Sequence, residues 1–171
     1  HNGRMTMPSH STDFDYEGEL TLVIGRPARH VSEADALSYV AGYTICNDGS
    51  VRDWQKAGPQ VAPGKNWEGS GILGPWITTA DEAGDPYDMS LITRVNGEVR
   101  QQASTSDLVF SAAYLVSYIS TFITLMPGDM ITTGSPAGVA VGFDPPKWLI
   151  PGDQVEIEID TIGVLSAVVD R

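Results

Sequence analysis

The chain has 171 residues, 42% of them apolar, which is enough for one domain with a proper core. Its formal net charge of −12 argues against a nucleic-acid partner, which requires clustered Lys and Arg, and would repel an anionic substrate unless a local cation neutralised the site. With 18 Gly and 11 Pro the chain is turn-rich, its longest apolar stretches fall far short of the roughly 20 residues of a membrane span, and no N-terminal stretch reads as a signal peptide.

Residues 1–14 lack periodicity and read as an extended or mobile lead-in to a domain over 15–171. Residues 19–25 alternate, with Leu20, Leu22 and Ile24 on one face and Glu19, Thr21 and Val23 on the other, which predicts a strand. Residues 33–43 read as a helix: Ser32 and Asp35 form a capping box, and Ala34, Leu37, Val40 and Ala41 fall on one side. Cys46 follows an apolar run. As the chain's only cysteine it excludes an internal disulfide, suits a reducing cytoplasm and reads as a small buried core residue.

Residues 49–69, rich in Gly, Pro, Lys and Asn, read as loop. Segments 91–95 and 99–101 flank Asn96-Gly97, the strongest short hairpin signal in the chain. A second helix is predicted over 107–121, capped by Ser106, with Leu108, Ala112, Leu115 and Ile119 as its apolar stripe. Short strands follow at 130–133, 155–159 and 164–169, punctuated by Pro-Gly-Asp turns at 127–129 and 151–153. The sum is a mainly β (α+β) domain with two short helices and a curled or barrel-like sheet arrangement. No strand leads into Gly-x-Gly-x-x-Gly, so no dinucleotide site is expected.

The sharpest chemical feature is Asp15-Tyr16-Glu17-Gly18-Glu19 at the head of the first long strand. Residues two apart on a strand point the same way, so Glu17 and Glu19 would project side by side at ~6–7 Å. Such a pair repels itself unless a proton or a hard cation lies between, Mg²⁺ first, then Mn²⁺ or Ca²⁺. The alternative is an ordinary solvated strand edge, and Glu156 and Glu158 repeat the pattern on what looks like one.

A second cluster, residues 47–55, brings Asp48, Arg52 and Gln55 into one short segment, where Arg52 could hold a carboxylate bidentately. It could equally be a surface loop with an Asp–Arg pair. In 134–138 a glycine-rich turn offers the Ser135 hydroxyl and free backbone N–H groups to an anionic oxygen. Pro136 after the serine excludes a nucleophile elbow. His1, His10 and His30 have no ligand-spaced or base-spaced partners and read as surface residues.

Taken in order, these segments resemble the fumarylacetoacetate hydrolase family. The resemblance rests on Asp-Tyr-Glu-Gly-Glu-Leu at 15–20, Asn-Asp-Gly-Ser-Val-Arg-Asp-Trp-Gln at 47–55 and Gly-Lys-Asn at 64–66. It continues through Leu-Gly-Pro-Trp at 73–76, Val-Asn-Gly-Glu-Val-Arg-Gln at 95–101, Pro-Gly-Asp-Met-Ile at 127–131 and Thr-Gly-Ser-Pro-Ala-Gly-Val at 133–139.

The resemblance implies a mixed β-roll catalytic domain and a homodimer with one divalent cation per site. Glu17, Glu19 and Asp48 would be metal ligands. Arg52, Gln55, Lys65 and Ser135 would bind substrate, with Lys65 and Arg52 taking part in catalysis. Many relatives carry their catalytic histidine on a lid upstream of the Glu-x-Glu strand. Neither His1 nor His10 sits in such a motif, so an upstream lid and N-terminal portion are expected to be missing and the general base is unassigned.

The implied activity is metal-assisted enolisation of a small 2-oxo acid. Hydrolytic C–C cleavage of an acylpyruvate or fumarylacetoacetate-type substrate comes first. Isomerase or decarboxylase action on unsaturated 2-oxo (2-hydroxydiene) dioates in aromatic catabolism comes second. The rival from another class is a non-catalytic metal-binding β-domain.

Overall fold

A computed structural model describes all residues, His1–Arg171. The chain opens with β1 (Gly3–Thr6), β2 (Phe14–Asp15) and β3 (Gly18–Ile24), then β4 (Val40–Asn47) and β5 (Ser50–Val51). A short helix α1 (Arg52–Lys56), β6 (Ile72–Thr79) and one-turn α2 (Ala80–Ala83) lead to the hairpin β7 (Ser90–Val95) and β8 (Glu98–Ser104). Helix α3 (Ala112–Phe122), β9 (Met130–Thr132), β10 (Gln154–Ile159) and β11 (Gly163–Asp170) complete the fold.

Two open sheets result, in the order β1-β11-β10-β7-β8 and β6-β4-β3-β9, with β2 and β5 pairing separately. The mainly β reading therefore holds, and the parallel β1–β11 pair makes the larger sheet mixed. Leu20, Leu22 and Ile45 from the smaller sheet and Leu91, Ile157 and Leu165 from the larger belong to one buried cluster, and Val116 of α3 joins it. Burying each such side chain stabilises the fold by about 1.5–3 kcal/mol.

All seven residues of β3 are buried, so its two faces are both covered. The Asn96-Gly97 hairpin forms as expected: φ of 51° and 80° at these residues gives the doubly left-handed turn that matches strand twist.

Four expectations change. Residues 33–43 are not an α-helix. The Ser32 hydroxyl accepts from the Asp35 N–H at 3.2 Å, but only a 3-10 turn over Ala36–Tyr39 follows before β4 begins. Strand β4 is held between β3 and β6, with Val40, Tyr43 and Ile45 in the core, and this pairing overrides the helical spacing.

Residues 1–14 are not a detached lead-in. β1 pairs with β11, and Met5 and Phe14 have no exposed surface. A four-residue strand with one inward side chain has no period to read. The helix expected at 107–121 is α3, which starts at Ala112. Its cap is Ser111, whose hydroxyl accepts from Tyr114 N–H at 3.0 Å, whereas Ser106 lies in a separate 3-10 turn. The segment 49–69 holds β5 and α1, both too short to show periodicity.

Candidate metal centre

The β3–β4 register builds the site. Gly18 pairs with Asn47, so Glu17 and Asp48 emerge side by side, and Asp48 N–H donates to the Glu17 carbonyl at 2.9 Å. Asn47 Oδ1 accepts from Glu17 N–H at 2.9 Å and fixes that backbone from below. On the other edge of β3, β9 pairs Thr132 with Thr21, which delivers the 133–138 loop to Glu19. There Gly134 N–H donates to Glu19 Oε2 at 2.9 Å.

Carboxylate oxygens of Glu17, Glu19 and Asp48 consequently lie within 4.8 Å of one another. Only the first Glu-x-Glu gains a third carboxylate. The second faces outward, with Glu158 paired to Arg94 Nη1 at 2.7 Å.

Two cations are built into this cluster. Lys65 Nζ lies 2.6 Å from Glu17 Oε2 and 2.8 Å from Asp48 Oδ2. Arg52 Nη1 lies 2.7 Å from Glu17 Oε1, its Nε donates to Asp15 Oδ2 at 2.7 Å, and its Nη2 is buried with no partner. Burial alone would lower both basic groups. The hydrogen bonds and charges of Asp48 and Glu17 around Lys65, and of Asp15 and Glu17 around Arg52, outweigh it and hold both protonated.

Glu19 is different. Burial is the largest effect and pushes its carboxyl up to about 7, reinforced by Glu17 and Asp48 and opposed by Gly134 N–H and Lys65. The all-oxygen donor set of Glu17, Glu19 and Asp48 suits a hard divalent cation. The residues present therefore fit Mg²⁺, Mn²⁺ or Ca²⁺.

The acids face a cavity of about 600 Å³, walled by Arg52 and Lys65 on one side and by residues 132–137 on the other. Ser135 is on that wall. Gln55 is not. Its Oε1 accepts from Arg52 Nη1 at 2.9 Å, so it orients the arginine rather than lining the cavity. His1, His10 and His30 are all exposed, and Cys46 is buried, its thiol pushed up to about 12 by burial, then by Glu19 and Asp48.

Two residues escaped the sequence reading. Asp15 is wholly buried and accepts from Arg52 and from Ala140 and Val141 N–H groups. Gln101 is 1% exposed and bonds both Gly18 and Ser135. Each stood inside a noted segment, but its partners lie far away in sequence.

Known proteins resemble the chain along nearly its whole length. The family model for the fumarylacetoacetate (FAA) hydrolase C-terminal domain matches residues 1–170. The chain is 44% identical over 167 residues to the 4-hydroxyphenylacetate degradation bifunctional isomerase/decarboxylase of Salmonella dublin, covering 96% of this chain and 37% of that one. It is 41% identical over 163 residues to the mitochondrial oxaloacetate tautomerase of Homo sapiens, covering 94% and 52%.

Among solved structures, the 2-hydroxyhepta-2,4-diene-1,7-dioate isomerase from Mycobacterium marinum matches with a TM-score of 0.91 at 42% identity, covering 99% of this chain and 64% of that one. Fumarylpyruvate hydrolase from Pseudomonas aeruginosa, in complex with Mn²⁺ and pyruvate, matches with a TM-score of 0.89 at 31% identity, covering 99% and 71%. The chain thus spans between about a third and a half of the two curated relatives' length. It belongs to the fumarylacetoacetate hydrolase family, whose members are enzymes.

Proposed function

We propose that this chain carries the cation-dependent site of an enzyme acting on a small 2-oxo acid through its enolate, with isomerisation or decarboxylation of an unsaturated 2-oxo dioate as the first reading. The observation that carries it is the convergence of Glu17, Glu19 and Asp48, oxygens within 4.8 Å, on a cavity that Lys65 and Ser135 also reach. When bound by those three carboxylates, Mg²⁺ or a similar cation supplies a Lewis acid for the carbonyl of the 2-oxo acid.

The chain's own residues do the rest. Arg52 and Lys65 clamp the two Glu17 oxygens, and Gly134 N–H fixes Glu19, so the ligands are held before substrate arrives. An ammonium has three donors, and Lys65 uses two on Glu17 and Asp48. The third serves a substrate oxygen on the cavity side, where its charge offsets that of the anion.

The family resemblance implies hydrolysis first and isomerisation or decarboxylation second. Relatives with isomerase or decarboxylase names match at 44% and 42% identity and hydrolases at 39% and 31%, so both readings are supported, and we place isomerisation first on that small margin. Hydrolysis of an acylpyruvate stays as the second reading because the fumarylpyruvate hydrolase was solved with pyruvate, a fragment such cleavage releases. The proposed partners are the small acid and a second copy of the chain. No helix is long and apolar enough to cross a membrane.

The test is calorimetric titration of Mg²⁺, then of oxalate as a mimic of the pyruvate enolate, into chelator-stripped protein, followed by a panel of 2-hydroxyhepta-2,4-dienedioate, fumarylpyruvate and acetylpyruvate. Oxalate binding that requires Mg²⁺ is the expected result. Oxalate that binds equally well without the cation, or not at all, removes the proposal. Turnover of the dienedioate without release of pyruvate separates the first reading from the second.

A further inference from the structure

Gln101 sits in the larger sheet, on β8, yet its amide reaches the smaller sheet and the metal-site loop together. Its Oε1 accepts from Gly18 N–H at 3.0 Å. Its Nε2 donates to Ser135 Oγ at 2.8 Å and to the Pro136 carbonyl at 2.9 Å. Gly18 lies between the two glutamates and can only be glycine here. A Cβ would come within 2.3 Å of Thr93 Oγ1 and 3.3 Å of Gln101 Oε1. One buried side chain therefore ties the ligand-bearing backbone to the loop that carries Ser135.

The chemistry of these contacts fixes the direction of every hydrogen bond. A backbone N–H can only donate, so the atom facing Gly18 must be the amide oxygen. A backbone carbonyl can only accept, so the atom facing Pro136 must be the amide nitrogen. The amide cannot flip, because both ends would then fail in the interior, where an unmet polar group costs about 1–3 kcal/mol. Its second N–H consequently donates to Ser135 Oγ, and Ser135 must accept.

That leaves the Ser135 proton uncommitted. Within the chain the hydroxyl donates only to the Pro136 carbonyl at 3.4 Å, a long contact to an oxygen that Gln101 already serves. The hydroxyl is on the cavity wall with the three carboxylates.

We propose that Gln101 is a positioning residue that locks Ser135 as a hydrogen-bond donor toward the cavity, so that Ser135 receives an anionic oxygen of the substrate. A serine free to rotate could meet either a donor or an acceptor. Held by Gln101, it selects a carboxylate or enolate oxygen over a hydroxyl or amine presented as a donor. The inference rests on the proposed reading of the site as one for a 2-oxo acid.

A double-mutant cycle on the full protein tests it, with Mg²⁺ and oxalate as probes. Ser135→Ala should weaken oxalate binding in saturating Mg²⁺ about tenfold while Mg²⁺ affinity stays within about twofold, in line with one charge-assisted hydrogen bond. In a Gln101→Met background, which removes the donors but keeps the shape, Ser135→Ala should cost less than about twofold. Gln101→Glu, which offers Ser135 an acceptor and draws its proton away from the cavity, should lose oxalate affinity even where Gln101→Met folds poorly.

Equal Ser135→Ala losses in the native and Gln101→Met backgrounds overturn the positioning role, because a merely structural glutamine leaves the serine's contribution intact. A Ser135→Ala variant that binds oxalate normally overturns it as well. Native protein that binds Mg²⁺ but no oxalate overturns the 2-oxo acid reading itself. That outcome is distinct, since it appears before any variant is made.

Discussion

Replacing Asp15 by Asn should cost the fold about 3–5 kcal/mol, although the change exchanges one oxygen for one NH₂ group. Asp15 has no exposed surface. Its Oδ1 accepts from Tyr16 N–H at 2.8 Å and Ala140 N–H at 2.6 Å, and its Oδ2 from Arg52 Nε at 2.7 Å and Val141 N–H at 3.1 Å. Asparagine can satisfy one pair of donors, and its NH₂ then confronts the other pair. Removing one partner of a buried ion pair costs about 3–5 kcal/mol, and a stranded buried donor adds about 1–3. Arg52 keeps Glu17 Oε1 at 2.7 Å, which offsets part of this sum and places the total near the lower range.

At about 2–4 °C per kcal/mol for a chain of this size, the melting temperature should fall by roughly 6–20 °C. Urea unfolding near neutral pH, with the slope compared between variants, reads the free energy directly. The same curve taken for Arg52→Met should show coupling: the second substitution costs less in the Asp15→Asn background than alone. A loss below about 1 kcal/mol for Asp15→Asn, or strict additivity with Arg52→Met, would refute the view that this pair is energetically one unit.

Glu17→Gln or Asp48→Asn should weaken Mg²⁺ binding by at least about 100-fold in calorimetry, whereas Glu158→Gln, in the outward-facing pair, should leave it unchanged. The raised Glu19 carboxyl sets a pH trend with a definite sign. Its ordinary value of 4.5 rises to about 7 in the fold, so the folded state binds the proton more tightly. Metal-free protein should then lose stability as pH climbs from about 4.5 to about 7. Melting curves in chelator check this, and Glu19→Gln should flatten the trend while saturating Mg²⁺ should reverse it. Cys46, buried and pushed up to about 12, should resist a disulfide reagent at neutral pH and react fully only in denaturant. Rapid labelling of the native protein would contradict its burial.

What could be seen in the sequence, and what could not, follows from how far apart the interacting groups are along the chain. Asn96-Gly97 encodes its own turn, and β10 and β11 show their alternation, because a hairpin is specified by neighbours. Residues 33–43 also carry a local signal, a capping box with helical spacing, but it loses to pairing of β4 with β3 and β6. That contest is decided by burial of seven of the eight residues of β4 between its two neighbours, which no window of ten residues contains.

The metal site divides the same way. Glu17 and Glu19 are two residues apart and could be named, yet nothing local distinguishes them from Glu156 and Glu158. The distinction comes from Asp48, brought beside Glu17 by the Gly18–Asn47 pairing, and from Lys65, 48 residues beyond Glu17. The residues that hold the ligands are more remote still. Asp15 meets Ala140 across 125 positions, and Gln101 joins Gly18, 83 residues before it, to Ser135, 34 residues after it. The carboxylates that would hold a cation thus lie in short motifs, while the groups that aim them are single polar residues whose significance exists only once buried. A buried amide or carboxylate with every hydrogen bond matched across such distances constrains the fold as strongly as the core does. It is therefore at Asp15 and Gln101, rather than at the ligands, that substitutions should affect stability and ligand recognition together.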